Sequence, residues 1–265
     1  MKNIVKKALF TKTTKNERTL RILLPDNYDQ SNQAYPVLYM HDGQNLFEDD
    51  TSYTLHSWGI YETLQSLIKK DLINEIIVVG IDNSNLRFYE YSPWKNSDAV
   101  KNLMTSEVGG LGDAYAEFIV NQVKPFIDQN FRTKKEYETT MIAGSSMGAY
   151  ISCYIAVKYP HVFKHVGVFS LASWFNEDAF LDYLYENPID QNQRYFISIG
   201  RNESSDEKTT DFNEIYLQNS RNLVSLLKNK KVTDILYIET DDKHNELAWR
   251  KIFVDFIRFA NKKST

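Results

Sequence analysis

Thr139-Thr140-Met141-Ile142-Ala143-Gly144-Ser145-Ser146-Met147-Gly148-Ala149-Tyr150-Ile151-Ser152-Cys153-Tyr154-Ile155-Ala156-Val157-Lys158-Tyr159-Pro160 divides into three parts. Thr139 to Ala143 is an apolar run of strand length, and Met147 to Lys158 reads as a helix that Pro160 stops. Gly144 to Gly148, between them, is a G-x-S-x-G pentapeptide. With 10 glycines in 265 residues, about 0.03 such pentapeptides are expected by chance, a weak signal alone that the strand-to-helix setting strengthens. In that setting Ser146 sits on a sharp, strained turn, flanked by glycines that let strand and helix approach, and its hydroxyl projects above a sheet. The helix start supplies backbone N–H groups and positive dipole where an oxyanion would form. The alternative is a glycine-lined turn carrying a surface serine.

Outward from this segment, short apolar runs alternate with helical patterns. The runs are Leu20 to Leu24, Val37 to Met40, Ile76 to Ile81, Val166 to Leu171, Tyr195 to Ile199 and Ile235 to Ile238. Several are apolar at nearly every residue, as strands covered on both faces are. Between them, Tyr115, Phe118, Ile119, Val123, Phe126 and Ile127 share one helical face, with a kink expected at Pro125. Phe212 to Leu227 and Trp249 to Ala260 carry two further stripes. Strand and helix in alternation predict an α/β fold with a mainly parallel central sheet and helices on both faces. No repeat, low-complexity tract or linker interrupts the pattern, so a single domain over 1–265 is expected.

Composition excludes several classes. Lys+Arg 31 against Asp+Glu 35 leaves a net charge of −4, so no basic field favours nucleic acid. No run approaches the ~20 apolar residues of a membrane span. One cysteine, Cys153, leaves no intrachain disulfide and no thiolate zinc cluster. It is expected to be a buried core thiol. No metal constellation or nucleotide-binding glycine pattern is present, so no metal and no cofactor are expected. The N-terminal lysines are not followed by an uninterrupted apolar stretch, and a cytoplasmic protein is expected. Oligomeric state is not legible.

A serine nucleophile needs a base and an orienting carboxylate. Of five histidines, His244 alone follows the last strand, just before the C-terminal helix, in the chain order serine, acid, histidine. His41, before Asp42-Gly43, keeps a minor claim as base; a structural or site-lining role suits it better. The acid belongs after the strand Tyr195 to Ile199, where Glu203, Asp206, Glu207 and Asp211 compete. Glu203 is nearest the strand end and is preferred, with Asp206 next. The elbow itself makes the Met147 N–H one oxyanion donor.

Tyr39 to Phe47 (YMHDGQNLF), Val79 to Asn83, Glu90 to Trp94 (EYSPW), the elbow, and His244-Asn245-Glu246 with Trp249 together resemble the putative-esterase family of α/β-hydrolases. This family includes enterochelin, feruloyl and acetylxylan esterases, S-formylglutathione hydrolases and mycolyl transferases. The resemblance runs from about Leu20 to Phe259. It implies an α/β-hydrolase fold and a serine carboxylesterase acting on small-molecule esters through Ser146, His244 and Glu203. It also implies that Gln44, or alternatively Gly43, supplies the second oxyanion N–H, and that Trp174 borders the site; His41, from its position, is expected to line it. Arg87, Glu90 and Tyr91 match the family pattern without a derivable chemical role; a buried ion pair supporting the site is expected there. Acyl transfer through the same three residues, or a binding protein on a hydrolase fold, would leave much the same sequence.

Overall fold

The computed structural model describes residues 2–100, 106–204 and 211–263. Its strands are β1 (Ile4–Thr11), β2 (Asn16–Leu23), β3 (Val37–His41), β4 (Ile77–Ile81), β5 (Thr140–Ser145), β6 (His165–Phe169), β7 (Arg194–Asn202) and β8 (Asp234–Lys243). They form one eight-stranded sheet in the order β1-β2-β4-β3-β5-β6-β7-β8. β1 pairs antiparallel with β2, and β2 with β4; every other neighbouring pair is parallel. The helices are α1 (Ile60–Lys69), α2 (Arg87–Glu90), α3 (Gly112–Phe118), α4 (Lys124–Asn130), α5 (Met147–Lys158), α6 (Glu177–Glu186), α7 (Asp211–Asn229) and α8 (Glu246–Ala260).

Alternation along the central strands builds two cores, one on each face of the sheet. Val37 and Tyr39 of β3 and Ile142 of β5 point into a layer with α3 to α7. Leu38 and Met40, with Met141 and Ala143, point into a layer with α1 and α8. Both faces are covered, which is why these strands read as continuous apolar runs. Helix α5 is buried from Met147 to Val157, so it lacks the polar stripe of a surface helix. The expected irregularity at Pro125 takes the form of a π turn, Ile119–Val123, that places the proline in the first turn of α4. Among the described residues no helix is long and apolar enough to cross a membrane.

The parallel arrangement places the C-terminal ends of β3, β5, β6, β7 and β8 along one edge of the sheet. Asp42, Ser146, Ser170, Glu203 and His244 all follow those ends. Ligand sites of open parallel sheets form along this edge.

Candidate active site

Ser146 joins β5 to α5 with φ 56° and ψ −123°, a conformation that costs an L-residue of order 1–3 kcal/mol. The surrounding hydrogen bonds hold it there. The Ser146 amide donates to the Phe169 carbonyl at 2.9 Å, and the Ser146 carbonyl accepts from the Ala149 and Tyr150 amides at 3.1 Å each. The glycines of the motif are needed because strand and helix nearly touch: a Cβ on Gly144 would lie 2.6 Å from the Gly148 carbonyl carbon. Met147 opens α5, so its N–H has no intrahelical acceptor and remains available beside Ser146.

His244 follows β8, and its Nδ1 lies 2.5 Å from Oε2 of Glu203. Glu203 is only 2% exposed, and a carboxylate that deep must be fully hydrogen-bonded. Its Oε1 accepts from Ser170 Oγ and from the Gly200 N–H, both at 2.7 Å. Ser170 Oγ in turn accepts from the Trp249 indole N–H at 2.9 Å. The imidazole is held on two further sides, with the Tyr216 ring 5.1 Å away and the Trp249 ring 5.0 Å away in an edge-on contact. Asp206, the next carboxylate in order of preference, lies outside the described residues.

Gln44 lies in the 3₁₀ turn Gly43–Asn45 that follows β3. Its backbone N–H belongs to the first turn, where no intrahelical acceptor exists. Its carbonyl accepts from Thr51 Oγ1 at 2.7 Å, and its side-chain Oε1 accepts from the Asn83 N–H at 3.1 Å. Gln44, Ser146 and His244 line one cleft of about 530 Å³, with Asp42, Arg87, Glu246 and Trp249 also in its wall. Tyr53 and Phe88 add aromatic surface at the mouth. Glu246 accepts from Asn45 Nδ2 at 3.2 Å and from Thr54 Oγ1 at 2.7 Å, tying the segment around Thr54 to the start of α8.

Two expected site residues are not among those lining the cleft. His41 is 2% exposed; its Nδ1 is 2.9 Å from the Tyr115 hydroxyl and its Nε2 is buried without a partner. Burial pulls its imidazole down to about 4. Substrate contact by His41 is therefore corrected to packing beneath the turn, because the β3 end carries the ring into the layer between sheet and α5. Trp174 packs against Phe212 at 5.2 Å and Tyr216 at 6.2 Å, so its contact with His244 runs through Tyr216. Tyr216 belongs to the apolar stripe of α7, which marks it as core and gives no sign of a place at the site. Its hydroxyl interacts with the Ser146 and Trp174 side chains, and burial pushes it up to about 12. Ser170, with φ 51° at the end of β6, was equally silent in the sequence.

Arg87, Glu90 and Tyr91 divide between two ion pairs. Glu90 accepts from Arg18 Nη2 at 2.5 Å and from Ser84 Oγ at 2.9 Å. Arg87 and Tyr91 turn instead to Asp42. Cys153 is fully buried in α5, and burial pushes its thiol well above the usual range.

The chain is similar to known proteins in sequence and in fold. Residues 11–259 match the family model Esterase, described as Putative esterase. The Bacillus subtilis (strain 168) protein YbbA is 26% identical over 251 residues, covering 93% of this chain and 94% of that protein. A ferulic acid esterase structure superposes with a TM-score of 0.75 at 17% identity, covering 98% of each chain. An IroE-like serine hydrolase from Shewanella oneidensis gives 0.75 at 21% identity, over 97% of this chain and 79% of that one.

Proposed function

The chain belongs to the Putative esterase family, and from that premise we propose that it is a serine carboxylesterase acting on small-molecule esters, with residues 1–265 forming one catalytic domain. The carrying observation is the strained elbow at Ser146 in the same cleft as His244, whose Nδ1 is bonded to the buried Glu203. Ser146 Oγ attacks the ester carbonyl while His244 takes its proton, and the tetrahedral oxyanion accepts from the Met147 and Gln44 amides. Collapse expels the alcohol, which takes the proton from His244, and leaves an acyl group on Ser146. Water, deprotonated by His244, then attacks that acyl group; the carboxylic acid leaves and Ser146 regains its proton. Glu203 fixes the tautomer and orientation of His244 and stabilises the imidazolium without being protonated itself.

The aromatic surface of Tyr53 and Phe88 at the cleft mouth supports substrates with an apolar acyl or alcohol group. The single buried Cys153 suits a reducing compartment, and a cytoplasmic location is part of the proposal. The test is turnover of p-nitrophenyl acetate and butyrate by the wild type and Ser146→Ala, with fluorophosphonate labelling and identification of the labelled residue. Ser146→Ala is expected to lose at least about 10³-fold in kcat, and the label to sit on Ser146. Equal rates, or a label elsewhere, would end the proposal.

A further inference from the structure

The turn that presents the Gln44 amide is built on two constrained residues. Asp42 leaves β3 with φ 56° and ψ 48°, a left-handed conformation that aspartate tolerates better than most residues. Gly43 is pressed against β4: a Cβ there would lie 2.6 Å from the Gly80 carbonyl carbon and 2.7 Å from Oδ1 of Asp82. The turn therefore cannot retreat toward the sheet, and its remaining freedom is rotation about Asp42.

The Asp42 side chain removes that freedom. Arg87 grips it in a bidentate pair, Nε to Oδ1 and Nη2 to Oδ2, both at 2.8 Å. Asn83 Nδ2 donates to Oδ1 at 2.6 Å, and the Tyr91 hydroxyl lies 3.2 Å from both Oδ1 and the Asp42 N–H. The Arg87 guanidinium also lies over the Tyr91 ring, 4.9 Å from its centroid. Asp42 Oδ2 reaches the first turn of α5, 3.5 Å from where a Gly148 Cβ would stand. One carboxylate thus touches the elements that carry both oxyanion donors. It also brings a negative charge to the cleft wall, where an unneutralised anion would oppose a developing oxyanion.

We propose that Arg87 is a positioning residue for the oxyanion hole, holding Asp42 so that the Gln44 amide is aimed and cancelling a charge that would otherwise work against the transition state. The inference rests on the serine esterase reading and assigns the arginine that the sequence pattern left without a role. Arg87 acts through Asp42, so its removal affects the step in which the oxyanion forms more than the binding of neutral substrate. The two parts of the role separate chemically. Arg87→Gln leaves a buried anion beside the hole, whereas Asp42→Asn with Arg87→Gln removes grip and charge together.

The experiment compares the wild type, Arg87→Gln, Arg87→Lys and the Asp42→Asn/Arg87→Gln double variant. It measures kcat and KM for p-nitrophenyl butyrate, and affinity for a trifluoromethyl ketone that adds to the nucleophile and places an oxyanion in the hole. Arg87→Gln is expected to lower kcat about 30- to 100-fold with KM within about twofold, and to weaken the ketone in proportion, on the scale of losing one oxyanion donor. Arg87→Lys retains the charge but not the paired grip and should fall between them. The double variant should regain at least about fivefold over Arg87→Gln. If Arg87→Gln does not fold, the charge-keeping Lys variant and the charge-balanced double variant carry the comparison. Wild-type kcat in Arg87→Gln, or no recovery in the double variant, overturns the inference while fluorophosphonate labelling of Ser146 leaves the esterase reading standing. A wild type whose Ser146 does not label overturns both.

Discussion

Along the sheet edge, Ser146 at the end of β5 separates two walls made in different ways. On the side of β7 and β8, side chains hold a side chain: Glu203, Ser170, Trp249 and Tyr216 fix the imidazole of His244. On the side of β3, side chains hold a backbone: Arg87, Asn83 and Tyr91 fix Asp42, and Asp42 with Gly43 fixes the Gln44 amide. On the first wall only His244 and Glu203, the residues to which the proposed chemistry assigns a direct part, are legible by type and chain order; Ser170 and Tyr216, which pack around them, are not. On the second wall the working atom of the proposed mechanism is a peptide nitrogen that any residue could supply, and the specific residues are the ones that place it. Asp42, Asn83, Arg87 and Tyr91 all stand in or beside the sequence motifs, but the arrangement that joins them is recognisable only once the chain is folded.

The largest expected effect lies on the first wall. Glu203→Gln removes the acceptor for Nδ1 and should lower kcat about 10³- to 10⁴-fold in a folded protein, measured by steady-state turnover with circular dichroism as control. Near wild-type activity there, with Asp206→Asn inactive, would move the acid to Asp206. On the second wall, Gly43→Ala forces a methyl against the Gly80 backbone and should lower kcat about 10²-fold. It should also cost about 1–3 kcal/mol in urea unfolding. If it costs more activity than Glu203→Gln, the ranking of the walls reverses.

Trp249→Phe keeps the ring contact with His244 but deletes the donor to Ser170. A loss of about tenfold in kcat is expected, since Glu203 still receives the Ser170 and Gly200 bonds. No loss would show that the wall ends at Ser170. The last effect is on stability and not on rate. His41, beneath the second wall, is held near 4 against an ordinary 6.5, so the unfolded chain takes its proton first. Its contribution is complete above pH 6.5 and declines as pH falls toward 4, at about 1.4 kcal/mol per pH unit. Urea titrations at pH 7 and 5 should show a shallower decline in His41→Gln than in the wild type; identical slopes would remove His41 from the account.

The central strands were legible because burial on both faces makes them continuously apolar, and the elbow because two glycines and a serine bracket a strand-to-helix change. Strand β1 was not, since Lys6 and Lys7 break its apolar pattern on an edge that is half solvated. Helices α1 and α6 do carry stripes, Ile60, Leu64 and Leu67 in one and Phe180 and Leu184 in the other, but each is a short helix of ten residues lying outside the motifs. At the site, chain order pointed to His244 and to Glu203, which the fold brings within hydrogen-bonding distance. Ser170 lies inside an apolar strand run and Tyr216 in a helical stripe, so their local patterns mark them as core, and only tertiary neighbours set them beside Glu203 and His244. For His41, proximity in sequence to Asp42 leaves a structural and a site-lining role open, and the fold, which buries the ring against Tyr115, fits the structural one.

The lone thiol of Cys153, sealed inside α5, leaves the protein's exterior blank to maleimide chemistry. A cysteine introduced at Tyr53, which is 90% exposed on the cleft rim, would therefore be the single attachment point for a fluorophore, with no background label to subtract. Such a reporter sits beside the proposed acyl site without replacing any residue that holds either wall, and its emission would follow filling and emptying of the cleft through a single turnover.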